Sequence, residues 1–170
     1  VTVFLPDNYH KAEKLPVVYL LHGYSGINKD WDEMGQAGPL ADKHNVILVL
    51  PDGGYDSWYW DSPINPKHKY ETFITGEVVS YIDSHYKTIA DRSGRAITGL
   101  SMGGHGSLYY GLKYNDMFCY AYAMSPACMF DVKSTIKGKD PADLPGITIE
   151  TGIQDQTTNL QSVENIHNTL

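Results

Sequence analysis

The chain has 170 residues, enough for one core that buries about two thirds of the extended surface and too few for two ordinary domains. Twenty acidic residues against 13 basic ones give a net charge of −7, and no basic cluster longer than Lys67-His68-Lys69 occurs, which argues against a nucleic-acid partner. No apolar run approaches the roughly eighteen residues of a membrane span, no stretch resembles a signal peptide, and the two cysteines, Cys119 and Cys128, lack the spacing of a disulfide framework or a zinc site.

Both cysteines are expected to be buried packing residues, with a bridge between them left open. Val1 to Leu5 alternates as an outer strand and stops at the turn cluster Pro6-Asp7-Asn8. A start in mid-strand predicts a chain that begins inside a fold. Val17-Val18-Tyr19-Leu20-Leu21 is apolar throughout, the pattern of a strand covered on both faces of a parallel sheet. It ends at His22-Gly23-Tyr24-Ser25-Gly26. Residues 30–43 predict a helix broken by Gly35 and Gly38-Pro39, and Val46 to Leu50 is a second fully apolar strand. The loop beyond it, Tyr55 to Pro63, gathers four aromatic side chains. Trp58 and Tyr59 are candidates there for a substrate wall, packing over the sheet being the alternative.

From Tyr70 to Lys87, Phe73, Ile74, Val78, Ile82 and Tyr86 recur at three- and four-residue steps and predict an amphipathic helix. Arg95 to Leu100 is a short apolar strand, and Ser101-Met102-Gly103-Gly104-His105-Gly106 follows it into a helix running to Leu112. Strand, sharp turn and helix around Gly99-Leu100-Ser101-Met102-Gly103 form the context in which a serine is lifted clear of its neighbours as a nucleophile. The helix start and the N–H of Met102 would face an oxygen bound beside Ser101, and the N–H of Tyr24 is the second candidate donor of an oxyanion hole. The alternative is a tight turn whose serine caps the helix.

Met117 to Met124 predicts another strand, residues 131–146 an exposed connection with little core, Ile147 to Thr151 a strand, and Thr157 to Leu170 a helix. Strands alternating with helices predict a three-layer α/β/α sandwich around a mostly parallel sheet, a single domain over residues 1–170 that is incomplete at its carboxyl end. Such a sheet would bring Tyr24, the aromatic loop, Ser101 and Asp155 to one edge. Asp155, past the strand 147–151, is the candidate acid, with Asp131 in reserve; capping the last helix is its alternative role. Six of the seven histidines precede Asp155; His105 is expected to pack beneath the serine turn, and His167 falls on the last helix. The proton-accepting histidine is therefore expected beyond Leu170.

Gly99-Leu100-Ser101-Met102-Gly103-Gly104-His105-Gly106, with Leu20-Leu21-His22-Gly23-Tyr24-Ser25-Gly26, Pro51-Asp52-Gly53-Gly54 and Trp58-Tyr59, resembles the esterase D family of α/β-hydrolases. That family comprises feruloyl and acetyl-xylan esterases, short-chain acyl esterases, S-formylglutathione hydrolases and the antigen 85 mycolyltransferases. The resemblance implies Ser101 as nucleophile, Asp155 as triad acid, and Tyr24 with Met102 as oxyanion donors. Three departures accompany it. No residue matches the family's triad histidine, the segment between Ser125 and Ile147 is shorter than usual, and Gly152-Ile153-Gln154-Asp155 stands where Gly-Thr-Glu-Asp is common. The expected activity is hydrolysis of short-chain or carbohydrate-linked acyl or feruloyl esters, without cofactor or metal and without a membrane partner. The alternatives are an acyltransferase of the antigen 85 type or a catalytically dead domain that binds carbohydrate.

Overall fold

The computed structural model describes residues 1–158 and 160–170. Six strands form one sheet: β1 (Thr2–Phe4), β2 (Val17–Leu21), β3 (Ile47–Leu50), β4 (Arg95–Leu100), β5 (Tyr120–Met124) and β6 (Gly146–Glu150). Their spatial order is β1-β3-β2-β4-β5-β6, and every pairing is parallel except that of β1 with β3. The parallel strands therefore release their following loops at one edge, where ligands bind in open α/β sheets.

The unbroken apolar runs of β2 and β3 follow from this position, because each of these strands meets side chains on both faces. Val17, Tyr19, Leu21, Ile47, Val49 and Ile97 point to one face and join the main core, whereas Val18, Leu20, Leu48 and Leu50 point to the other. The first face is covered by α3 (Tyr70–Thr72), which continues through a π-helical stretch Phe73–Val78 into α4 (Val79–His85), and by α5 (Met102–Lys113). On the opposite face lie α1 (Asp30–Glu33) and α2 (Ala37–His44). Gln36 between them takes a left-handed φ of 56°, which is the predicted break.

The long amphipathic helix of residues 70–87 departs from expectation by its π-helical middle. Ile74, Val78 and Ile82, all buried, step by four, and a wider turn keeps such a row against the sheet where a 3.6-residue period would rotate it away. The segment 131–146 also differs from its prediction as an open connection. It contains α6 (Val132–Ile136), whose N-terminus is capped by Asp131, and Val132 packs with Leu108, Leu112 and Ala123. The last predicted helix is α7 (Leu160–His167), with Val163 and Ile166 buried; Asn159, inside the predicted range, lies outside the described residues. Cys119 and Cys128 are half-buried free thiols, not buried ones.

The sandwich is three layers deep over β1–β3 only. Along β4–β6 the face turned away from α5 bears Leu100, Tyr120 and Tyr122, with Leu100 44 % and Tyr120 42 % exposed. Among the described residues no helix is long and apolar enough to cross a membrane.

Candidate active site

Ser101 sits where β4 gives way to α5, with φ 55° and ψ −110°, a backbone conformation that costs a non-glycine residue about 1–3 kcal/mol. Three hydrogen bonds hold it there. Its N–H donates to the Met124 carbonyl (2.9 Å), and its own carbonyl accepts from the N–H groups of His105 (2.9 Å) and Ala127 (3.2 Å). The half-buried side chain is left out of this scheme: no described residue hydrogen-bonds to its hydroxyl. Two glycines make the turn possible, since a Cβ on Gly99 would overlap the Gly103 backbone and one on Gly103 would overlap the carbonyls of Leu21 and His22. The bare start of α5 is thereby pressed against the end of β2.

That contact brings the loop after β2 onto the serine, where the Cβ direction of Gly23 ends 3.8 Å from Ser101 Cβ. Tyr24 follows directly. Neither its N–H nor that of Met102, the first residue of α5, has an acceptor among the described residues, and the first N–H groups of a helix have none within the helix. His22 fixes this loop from below. Its Nε2 accepts from the Gly53 N–H (2.8 Å), so the ring proton resides on Nδ1, which donates to the Gly23 carbonyl (2.8 Å). Ser25 N–H donates to the Tyr55 carbonyl (2.7 Å), a second tie between the loops after β2 and β3.

The two candidate wall residues separate. Trp58 is half-buried, with its ring 6.5 Å from that of Tyr24 and 5.6 Å from that of His105, so it remains beside the site. Tyr59 is fully enclosed and belongs to the core, a correction to its expected place in the wall. Its hydroxyl donates to the His22 carbonyl (2.8 Å), its carbonyl accepts from the Tyr110 hydroxyl (2.6 Å), and burial pushes its phenol well above the ordinary value. In the apolar interior such an acceptor offsets the cost of burying a tyrosine hydroxyl.

Asp155 lies on the loop after β6, two strands from Ser101 in the sheet. One carboxylate oxygen accepts from the N–H groups of Thr157 (2.8 Å) and Thr158 (3.0 Å), and the other from the Thr158 hydroxyl. The Thr158 hydroxyl first, then these N–H groups and the Ser125 hydroxyl, hold its carboxyl well below the usual carboxylate range. Ser125 follows Met124, the acceptor of the Ser101 N–H, so a short chain of contacts links the acid to the serine turn. Asp131 gives both oxygens to Ser134 as the cap of α6.

His105 is buried beneath the turn as expected, its Nδ1 accepting from the Met129 N–H (3.0 Å). His167 stands on α7 with Ile147, Ile149 and Val163. No ring nitrogen of a described histidine hydrogen-bonds to Ser101 or Asp155. The structure thus assembles Ser101, Met102, Tyr24 and Trp58, with Asp155 one contact removed. The brace formed by His22 was not foreseen; its only trace in the sequence is a histidine placed immediately after an apolar strand.

An esterase of Mycobacterium tuberculosis is 38 % identical over an alignment of 132 residues that covers 74 % of this chain and 28 % of the relative. The chain thus spans less than a third of that relative's length. A solved ferulic acid esterase is 40 % identical, with a TM-score of 0.66 over 73 % of this chain and 52 % of its own. Serine hydrolase F of Staphylococcus aureus superposes with a TM-score of 0.79 over 98 % of this chain and 78 % of its own, at 22 % identity. That likeness is one of fold, a mostly parallel sheet flanked by helices as in the α/β-hydrolases. Since the model of the Esterase family matches residues 1–157, the chain belongs to that family.

Proposed function

We propose that this chain carries the nucleophile and oxyanion hole of a serine carboxylesterase. Ser101 Oγ attacks the ester carbonyl while a histidine beyond residue 170 takes its proton, and Asp155 holds that imidazole in the useful tautomer. The negative charge that develops on the carbonyl oxygen is received by the N–H groups of Tyr24 and Met102. The alcohol departs with the proton, and water then releases the acyl group from Ser101. Trp58 and Tyr24 flank the reacting carbon and favour short or aromatic acyl groups, including those carried on carbohydrate. The similarity to a ferulic acid esterase supports this choice of substrate class.

The observation that carries the reading is the state of Ser101: a strained, three-point-anchored backbone whose hydroxyl has no hydrogen-bond partner among the described residues, beside two amides that likewise have no acceptor among them. A helix-capping serine would instead turn its hydroxyl onto the first amides of α5, and Ser101 makes no such bond. The test is labelling of the full-length protein with a fluorophosphonate at neutral pH. Covalent modification is expected at Ser101 and is expected to vanish in Ser101→Ala; an unlabelled wild-type protein would defeat the proposal.

A further inference from the structure

Trp58 stands beside the site in a strained stretch of backbone. It and Tyr59 take consecutive left-handed φ values of 53° and 60°, which bulky residues hold only when their surroundings impose it. For Tyr59 the restraint is explicit: its N–H donates to Ser57 Oγ (2.9 Å), its carbonyl accepts from Tyr110, and its hydroxyl donates to His22. Among the described residues no hydrogen bond holds the Trp58 indole, which rests edge-on against the His105 ring at 88°.

His105 is itself seated from the other side. Its Nδ1 accepts from the Met129 N–H, and Phe130 lies 5.4 Å away, so this ring stands between the loop after β3 and the segment after β5. In the order β3-β2-β4-β5 those two loops flank Ser101. Trp60 at 5.1 Å and Tyr109, stacked at 6.1 Å, complete an aromatic collar around the imidazole.

We infer that His105 is a positioning residue which, through its ring against Trp58 and its Nδ1 on Met129, sets the separation of the two walls beside Ser101 and so the acyl groups admitted. The inference rests on the esterase reading. Because Nδ1 accepts, the ring proton must lie on Nε2, which is enclosed and forms no hydrogen bond of ordinary geometry to any described residue. The Trp58 backbone nevertheless favours the protonated ring, against the larger effect of burial, which lowers His105 to about 4. The imidazole therefore stays neutral and keeps its acceptor under physiological conditions.

The test compares two esters of one alcohol, an aryl-acyl ester and an acetate, in the full-length protein. In His105→Phe, which keeps a ring and deletes the acceptor, the ratio of kcat/KM for the aryl-acyl ester to that for the acetate is expected to change about tenfold. A merely structural role lowers the amount of active protein and leaves that ratio where it was. An unchanged ratio in a folded, active variant overturns the inference while leaving the esterase reading intact; absence of Ser101-dependent hydrolysis in the unaltered protein removes both. Should the variant fail to fold, ring 15N NMR of the unaltered chain decides. The Nε2–H tautomer is expected, and a proton on Nδ1 overturns the arrangement because Met129 could not then donate to it.

Discussion

At the scale of single residues, burial decides what each titratable group can do. His105 has no water to stabilise its charged form, and its neutral ring is the consequence. The folded protein resists a proton that the unfolded chain accepts below about pH 6.5, so stability is complete above that value and declines as the pH falls toward about 4. A shift of this size corresponds to about 3 kcal/mol at most. Urea unfolding at about pH 7 and about pH 4.5 should show that loss in the native chain, and His105→Phe should flatten the dependence across this window. His22 is equally buried but has a different task, because both of its nitrogens are committed to backbone groups of two loops. The sequence placed His105 beneath the turn without naming its partner and left the role of His22 open: a histidine beside a glycine can be a ligand, a base or a brace. The partners that decide among these, Gly53 and Met129, are 31 and 24 residues away.

At the scale of elements, capping and close approach matter more than propensity. The first five residues of α5 include Gly103, Gly104 and Gly106, each worth about 1 kcal/mol less than alanine in a helix. It is helical because those glycines let it meet the end of β2, the segment after β5 and the Tyr59 ring. Glu71, almost buried, ties the start of α3 to α5 through Lys113 (2.5 Å) and the hydroxyls of Tyr109 (3.3 Å) and Tyr114. The short α6 depends on its cap, with Asp131 accepting from both the N–H and the hydroxyl of Ser134. Asp131→Ala is expected to cost about 1 kcal/mol in a thermal or urea melt and to leave Ser101 labelling unaltered. A loss of labelling instead would transfer the role of triad acid from Asp155 to Asp131. The cap, Asp131 followed by Ser134, is legible in the sequence, but the lysines, glycine and prolines of this segment masked it. Val132 found its core only because α5 and β5 pass beside it.

At the scale of the whole molecule, the five parallel strands deliver their following loops to one edge, where the serine turn, two amides without an acceptor among the described residues and the indole meet. The proposed mechanism leaves the base outside these residues. The 170-residue chain by itself is therefore expected to turn over esters about 10⁶-fold more slowly than the full-length enzyme, measured with the same substrate and active-site concentration. Parity and periodicity were local properties, and they determined the strands, the amphipathic helices, the α/β order and the serine held between two glycines. A side chain two residues along a strand faces the same way whatever surrounds it. The tertiary structure alone decided which aromatic of the Trp58-Tyr59 pair would face the site and which the core, and where the third layer stops. Each of these depends on partners distant in the chain, and a burial pattern at one position carries no record of which distant group will supply the missing hydrogen bond.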